Sequence, residues 1–104
     1  MSVFGRRLKD ERKRAGLSQE SLGVRAGLDE SSARQRLSRY ERGDRQPDLD
    51  LIVRIAEVLA VPPAYFLAED DSLAELLLAW GKLKRADRAR VIELAGGLAN
   101  MRSR

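Results

Sequence analysis

GLSQESLGVRAGLDESSARQRLSRYERG, residues 16–43, decides the fold. Gly16 stops one helix and Ser18 opens the next. A serine caps well there, because its hydroxyl accepts a backbone N–H that the first turn leaves without a partner. Glu20 sits in the first turn, where the helix dipole favours negative charge, and Leu22 points inward. Gly27 ends this second helix after Ala26. A third helix lies between Asp29 and Arg42, with two starts open to it. Asp29 caps it in the early one, and Ser32-Ala33-Arg34-Gln35 matches a capping box in the later one. The early start is the one we favour.

The flanks continue the helical reading. Phe4, Leu8, the stem of Arg12 and Ala15 recur at helical spacing across a first helix from about Val3 to Ala15. After the third helix, Gly43-Asp44-Arg45-Gln46-Pro47 is a loop by composition. A fourth helix begins near Asp48 with the stripe Ile52, Ile55, Ala56 and Leu59, and Val61-Pro62-Pro63 stops it. Pro63 suits the first turn of a short fifth helix, Ala64 to Leu67. Glu69-Asp70-Asp71 reads as a hinge. Ser72-Leu73-Ala74-Glu75 is a capping box that opens a helix with Leu73, Leu76, Leu77, Trp80 and Leu83 on one face. Beyond it the pattern allows two outcomes. Either a break near Lys84-Arg85-Ala86 lets Asp87 cap a last helix through Val91, Ile92, Ala95 and Leu98, or one bent helix continues. Gly96-Gly97 weakens the last helix by about 1 kcal/mol per glycine, so its end is expected to fray. The expected chain is all-α, with a helical domain over 1–68 and a helical extension over 69–104.

Composition narrows the chemistry. Cysteine and histidine are both absent. That removes thiol nucleophiles and thiolate metal sites, and also the commonest general base, metal ligand and physiological pH switch. No catalytic residue, metal ligand, phosphate-cradling loop or cofactor motif is found, so we expect neither an enzyme nor a cofactor. No apolar run approaches a membrane span, and the charged start MSVFGRRLKDERKR lacks the apolar core of a secretory signal, so a cytoplasmic location is expected.

Charge is unevenly spread. Residues 1–46 hold 12 Lys/Arg against 7 Asp/Glu, residues 47–70 hold 1 against 5, and residues 71–104 hold 7 against 4. A basic first half suits a polyanion, and an acidic middle suits a face turned away from it. A tight pair of short helices within that basic half is the unit that fits one helix into the major groove of duplex DNA, about 12 Å wide. Helix three carries the polar donors for it: Ser31, Ser32, Arg34, Gln35, Arg36, Ser38 and Arg39. Arginine can bond guanine bidentately and glutamine can bond adenine.

From Phe4 to Leu67 the chain resembles the lambda-repressor-like helix-turn-helix family, also called the XRE family. The matching words are Leu8-Lys9-Asp10-Glu11-Arg12, Gly16-Leu17-Ser18-Gln19-Glu20-Ser21-Leu22, Ala26-Gly27-Leu28, Leu37-Ser38-Arg39-Tyr40-Glu41-Arg42-Gly43, Pro47, and Ala56-Glu57-Val58-Leu59-Ala60-Val61. The resemblance implies a five-helix DNA-binding domain that binds operators as a dimer and regulates transcription, most often by repression. It implies that Gln19 contacts phosphate and braces a side chain of helix three. It implies an ion pair between Arg12 and Glu41, and a loop in which Arg42, Arg45 and Gln46 approach the DNA backbone. It implies core positions at Leu17, Leu22, Leu28, Leu37, Ile52 and Leu59, and a packing role for Tyr40.

Two departures stand out. Gly23 occupies a place where the family prefers alanine; a small residue still fits there, at some cost to the helix. Thirteen residues separate Gly27 from Glu41, four more than the family's usual spacing, or about one helical turn. That turn either lengthens the front of helix three or forms an extended turn before it. Two registers of readout follow. One places Ser32, Gln35, Arg36 and Arg39 toward the groove, and the other brings in Ser31 and Arg34.

The C-terminal third lies outside the resemblance. Its stripe around Trp80 is expected to be a packing face, covering its own domain or pairing with a second subunit as a homodimer. The basic stretch Lys82-Lys84-Arg85-Arg88-Arg90 is expected to be solvated. A different class, an antitoxin-like or adaptor protein, would use the same fold to hold a protein partner through these C-terminal helices.

Overall fold

The computed structural model describes residues 2–102. Among them the chain forms six α-helices, one 3₁₀ turn and no strand. The helices are α1 (Val3–Arg14), α2 (Gln19–Arg25), α3 (Glu30–Arg42), α4 (Leu49–Leu59), α5 (Asp71–Lys82) and α6 (Arg85–Arg102), with the 3₁₀ turn Pro63–Leu67 between α4 and α5. The all-α class and the five-element domain with a helical extension are as expected, the fifth element being the 3₁₀ turn.

Local chemistry explains the helix starts. Ser2 Oγ accepts the Gly5 N–H at 2.9 Å, Ser18 Oγ the Ser21 N–H at 3.0 Å, and Asp48 Oδ1 the Leu51 N–H at 2.9 Å. Asp29 Oδ1 accepts the Ser31 N–H at 3.0 Å, so the early start of α3 is the one taken. The four extra residues therefore lengthen the front of α3 by a turn, and the link from α2 stays short. Two expected caps lie elsewhere. Asp70, not Ser72, caps α5, because its carboxylate reaches the N–H groups of both Ser72 and Leu73. Asp87 sits inside the first turn of α6. The chain does break at Leu83 and Lys84, and α6 runs on through Gly96-Gly97 to Arg102.

One core joins the first five elements. Phe4 and Leu8 from α1, Leu22 from α2, Leu37 from α3, Ile52 and Ile55 from α4, and Phe66 from the 3₁₀ turn are buried together. Each such side chain contributes about 1.5–3 kcal/mol by leaving water. Of the expected core positions, Leu22, Leu28, Leu37, Ile52 and Leu59 are buried and Leu17 packs at the margin. Tyr40 is buried, as its packing role requires.

Two glycines let helices cross at backbone distance. A Cβ on Gly5 would lie 2.2 Å from the Glu41 carbonyl oxygen, so α1 meets the end of α3 with no room for a side chain. A Cβ on Gly23 would lie 2.8 Å from Ala33 Cβ and 3.0 Å from Leu37 Cδ2. The departure at Gly23 is thus matched by a closer crossing of α2 and α3, into which alanine does not fit without a shift.

The acidic stretch expected as a hinge is fastened. Arg7, buried on α1, donates from Nε to the Ala68 carbonyl at 2.8 Å and from its terminal nitrogen to Asp71 Oδ1 at 3.0 Å. Its guanidinium lies 5.5 Å from the Tyr65 ring centre. Ala74 of α5 is buried in the same core. Hydrogen bonds from Arg7 and then Arg6 hold the Asp71 carboxyl below the usual carboxylate range. A lowered folded value means that its contribution is present above the ordinary carboxylate pKa and is lost as pH falls through the lowered one.

Two outcomes follow for glycine. Gly5→Ala should destabilise by at least the roughly 1–3 kcal/mol of ordinary overpacking, because a carbonyl in the helix backbone cannot step aside. Gly96→Ala, with nothing within 4 Å, should stabilise α6 by up to about 1 kcal/mol. Urea melts followed by circular dichroism check both; equal midpoints for the two variants would contradict the crossing geometry. In the same assay Asp71→Asn should leave neutral stability nearly unchanged, since the carboxylate is exposed, and should lessen the loss of stability on acidification.

Candidate nucleic-acid interface

The interface is built from a buried network outward. Glu41, near the end of α3, is buried and would carry an unpaired charge without partners. Arg12 of α1 supplies both arms of a bidentate pair, Nε to Oε2 at 2.6 Å and a terminal nitrogen to Oε1 at 3.1 Å. Its remaining nitrogen donates to the Leu17 carbonyl at 2.9 Å, at the entry to α2. Gln19, the first residue of α2, donates from Nε2 to Glu41 Oε1 at 3.1 Å. The expected Arg12–Glu41 pair is present, and Gln19 braces the helix-three side chain as the resemblance implied.

This network fixes the exposed face of α3 relative to the start of α2. A shallow groove runs between them, lined by Gln19, Glu20, Glu30, Ser31, Arg34, Gln35, Ser38, Arg39 and Arg42. The side chains of Arg34, Gln35, Arg39 and Arg45 are exposed and make no hydrogen bond or ion pair with another described residue. Arg42 is held in place, donating to Asp44 Oδ2 at 2.9 Å and to Ser38 Oγ at 3.0 Å. Ser31 gives its N–H and its hydroxyl to Asp29, and these two bonds hold the Asp29 carboxyl below its ordinary range.

Arg36 faces elsewhere. Its Nε and terminal nitrogen donate to the Tyr40 hydroxyl at 3.3 and 3.0 Å. Together with Arg39, Tyr40 and Arg45 it lines a second, basic recess on the flank of α3. Ser32 lies one helical turn before Arg36, its hydroxyl donating to the Asp29 carbonyl at 3.4 Å.

Residues 8–66 match the profile of the helix-turn-helix family. The chain belongs to that family, in its XRE branch. Over 68 residues it is 31% identical to the HTH-type transcriptional regulator ImmR of Bacillus subtilis (strain 168), a match that covers 65% of this chain and 50% of that protein. The chain thus spans about half the length of the curated relative it matches. It is also similar to the crystal structure of the transcriptional regulator BswR, with a TM-score of 0.81 and 39% identity over 89% of this chain and 92% of that one. That coverage extends past the helix-turn-helix into the C-terminal helices.

Within this helix-turn-helix the predicted residues fall into two sets. Gln19, Ser31, Arg34, Gln35, Arg39 and Arg42 share the groove between α2 and α3. Arg36 and Arg45 lie on the flank with Arg39, which borders both, and Ser32 precedes Arg36 by one turn outside the groove lining. The groove thus brings Ser31 and Arg34 of one register together with Gln35 and Arg39 of the other. Ser38, named among the helix-three donors, lines it too, and so do Glu20 and Glu30, which sequence reasoning did not place there. The signal for Glu30 was legible: Glu30, Arg34, Ser38 and Arg42 follow one another at four-residue steps, which stack on one helix face. No group of acidic residues suited to a metal ion occurs among the described residues.

Glu41→Ala should strand the Arg12 guanidinium, whose side chain is only 11% exposed. Breaking a buried pair from one side costs about 3–5 kcal/mol. The double variant Arg12→Met with Glu41→Leu should recover much of that loss, because neither charge then stays buried alone. Thermal melts of the three proteins provide the check. A Glu41→Ala midpoint equal to that of the parent would contradict the role given to the network.

Proposed function

We propose that this helix-turn-helix protein is a DNA-binding transcriptional regulator that seats α3 in the major groove of duplex DNA, as a homodimer on a pseudo-palindromic operator. It requires no cofactor and carries out no reaction. It represses by occupying its operator, and it works in the cytoplasm. Residues 1–68 form the DNA-binding unit and 69–104 the assembly unit. Among the described residues no helix is long and apolar enough to cross a membrane. One observation carries the reading. The exposed face of α3 presents Arg34 and Gln35 with no partner of their own, on a helix that the Arg12–Glu41–Gln19 network holds fixed. Free bidentate donors on a rigid helix are what direct readout of base edges needs.

Roles follow from position. Arg34 and Gln35, in the first half of α3, read base edges, with Ser31 and Ser38 beside them. Arg39, Arg42 and Arg45, toward its end and in the following loop, meet phosphates. Arg36, drawn to Tyr40 on the flank, meets a phosphate as well. Gln19 touches the backbone at the start of α2 while its amide braces Glu41. Glu20 and Glu30 border the groove with negative charge, which repels phosphate and accepts from the cytosine amine. They therefore discriminate rather than add affinity. The likeness to ImmR and BswR, both transcriptional regulators by name, supports the regulatory reading.

The test uses base preference and salt together. Gln35→Ala or Arg34→Ala should change which base is preferred at one operator position by about 1–3 kcal/mol. Arg36→Ala and Arg45→Ala should weaken all sequences alike and make the salt slope shallower by about 1 each. The parent slope of log affinity on log salt should be steeper than about −3, at about −0.9 per phosphate. Uniform weakening from every α3 variant would refute the assigned reader. A flat salt dependence without sequence preference would refute DNA binding itself.

A further inference from the structure

Three arginines and one tyrosine line the recess on the flank of α3, which encloses about 210 Å³. Its lining, Arg36, Arg39, Tyr40 and Arg45, contains no carboxylate, whereas the groove between α2 and α3 is bordered by Glu20 and Glu30. Like charges gathered around one small space repel one another, and an anion placed among them removes that cost. The side chains of Arg39 and Arg45 make no hydrogen bond or ion pair with another described residue, so their forked donors are free for such an anion.

Tyr40 gives the recess a fixed wall. The residue is only 6% exposed and belongs to the core, so its ring has one position. Its hydroxyl accepts from Arg36 Nε at 3.3 Å and from a terminal nitrogen at 3.0 Å, with the guanidinium carbon 6.0 Å from the ring centre. Arginine has a long, mobile stem, and this fork onto a buried ring orders it. The hydroxyl thus uses its acceptor capacity on Arg36, and its own proton meets no acceptor among the described residues. Every polar group in the recess is therefore a donor in want of oxygen atoms. A phosphoryl group, with charge and several acceptor oxygens, is the chemical class that fits.

Position selects the source of that phosphoryl group. At 3.6 residues per turn, Arg36 lies about 200° around α3 from Arg34, so the recess and the α2 side of the helix are opposite flanks. A helix with its side chains is about 10–12 Å across, and the major groove is about 12 Å wide. A seated α3 therefore meets a sugar-phosphate wall on each flank, Gln19 facing one and the recess the other. We propose that the recess is a seat for one phosphodiester of the DNA backbone, and that the Tyr40 hydroxyl both holds Arg36 in place and donates to a phosphate oxygen. The seat rests on the reading that α3 enters the major groove, and it makes Tyr40 a positioning and binding residue as well as a packing one.

The probe is a duplex selected for binding from a random pool, with each phosphate replaced in turn by an uncharged methylphosphonate. The parent protein should lose about tenfold or more in affinity at one phosphate position for each bound subunit. Tyr40→Phe keeps the ring and removes the hydroxyl. It should weaken binding to the intact duplex about tenfold, for all sequences alike, and the penalty at that one phosphate should shrink severalfold while the others stand. It removes no charge, yet its salt slope should become shallower by about 1 for each seat, because Arg36 leaves the phosphate. Arg36→Ala should erase the same penalty at the same position. The urea midpoint of Tyr40→Phe should equal that of the parent, since the lost bonds end on an exposed arginine.

A Tyr40→Phe profile identical to the parent's overturns the role of the hydroxyl, and so does a lowered midpoint with an unchanged profile. Loss spread evenly over all phosphates overturns the seat. Both results leave DNA binding by α3 intact if the motif is still selected, whereas failure to bind any duplex overturns the reading beneath it. Free phosphate is the other source of the same chemistry. At equal ionic strength, inorganic phosphate should displace the duplex no more than chloride does. Displacement of the parent but not of Tyr40→Phe gives the seat to a free phosphate and overturns its assignment to the backbone.

Discussion

Glu41 stands where α1, α2 and α3 meet, and its carboxylate is shared between Arg12 and Gln19. Two charges taken out of water gain little net stability from each other, because desolvation offsets their attraction. What the pair supplies is geometry. The bidentate fork fixes the angle of α3 against α1, the Arg12 bond to the Leu17 carbonyl fixes the entry to α2, and Gln19 closes the triangle. The carbonyl of the same Glu41 also packs against Gly5, where only a missing side chain permits the contact. One residue thus sets the helix crossing through both its backbone and its side chain.

The added turn of α3 projects from those three joined helices. Because Asp29 caps the helix early, the extra residues extend α3 at its front, away from Glu41. The braced end keeps its place, and the free end gains reach. This arrangement puts Ser31, Arg34 and Gln35 in a groove with the start of α2 and turns Arg36 toward Tyr40. A longer α3 with a fixed base changes which side chains its exposed face presents, while the core stays the same.

Much of this was legible in the sequence, because local rules and the global fold agree over the first two thirds. Ser18 and Asp29 act as caps, Leu22, Leu37 and Ile52 are buried, and Arg12 meets Glu41. What sequence did not reveal depends on long-range contacts. Arg7 is a buried cation whose partners, the Ala68 carbonyl and Asp71, lie more than sixty positions away, so it read as one more basic residue on a charged helix. Gly5 and Gly23 owe their places to neighbouring helices and not to turns, and no local pattern marks such a crossing. The cap of α5 was misplaced by two residues because Asp70 and Ser72 both suit the role, and Asp70 reaches two N–H groups at once.

The C-terminal helices divide in the same physical terms. α5 is joined to the core through Ala74, whereas α6 meets its domain chiefly through the Arg88–Trp80 contact. Stability is therefore concentrated in the first five elements. The central claim is that α3, held by Glu41, reads base edges. Selection of bound duplexes from a random pool, followed by sequencing, tests it most directly. Readout by α3 predicts enrichment of a short defined motif by the parent protein, at a salt concentration where phosphate contacts alone do not retain DNA. Recovery of a pool with no enriched motif under those conditions would contradict it.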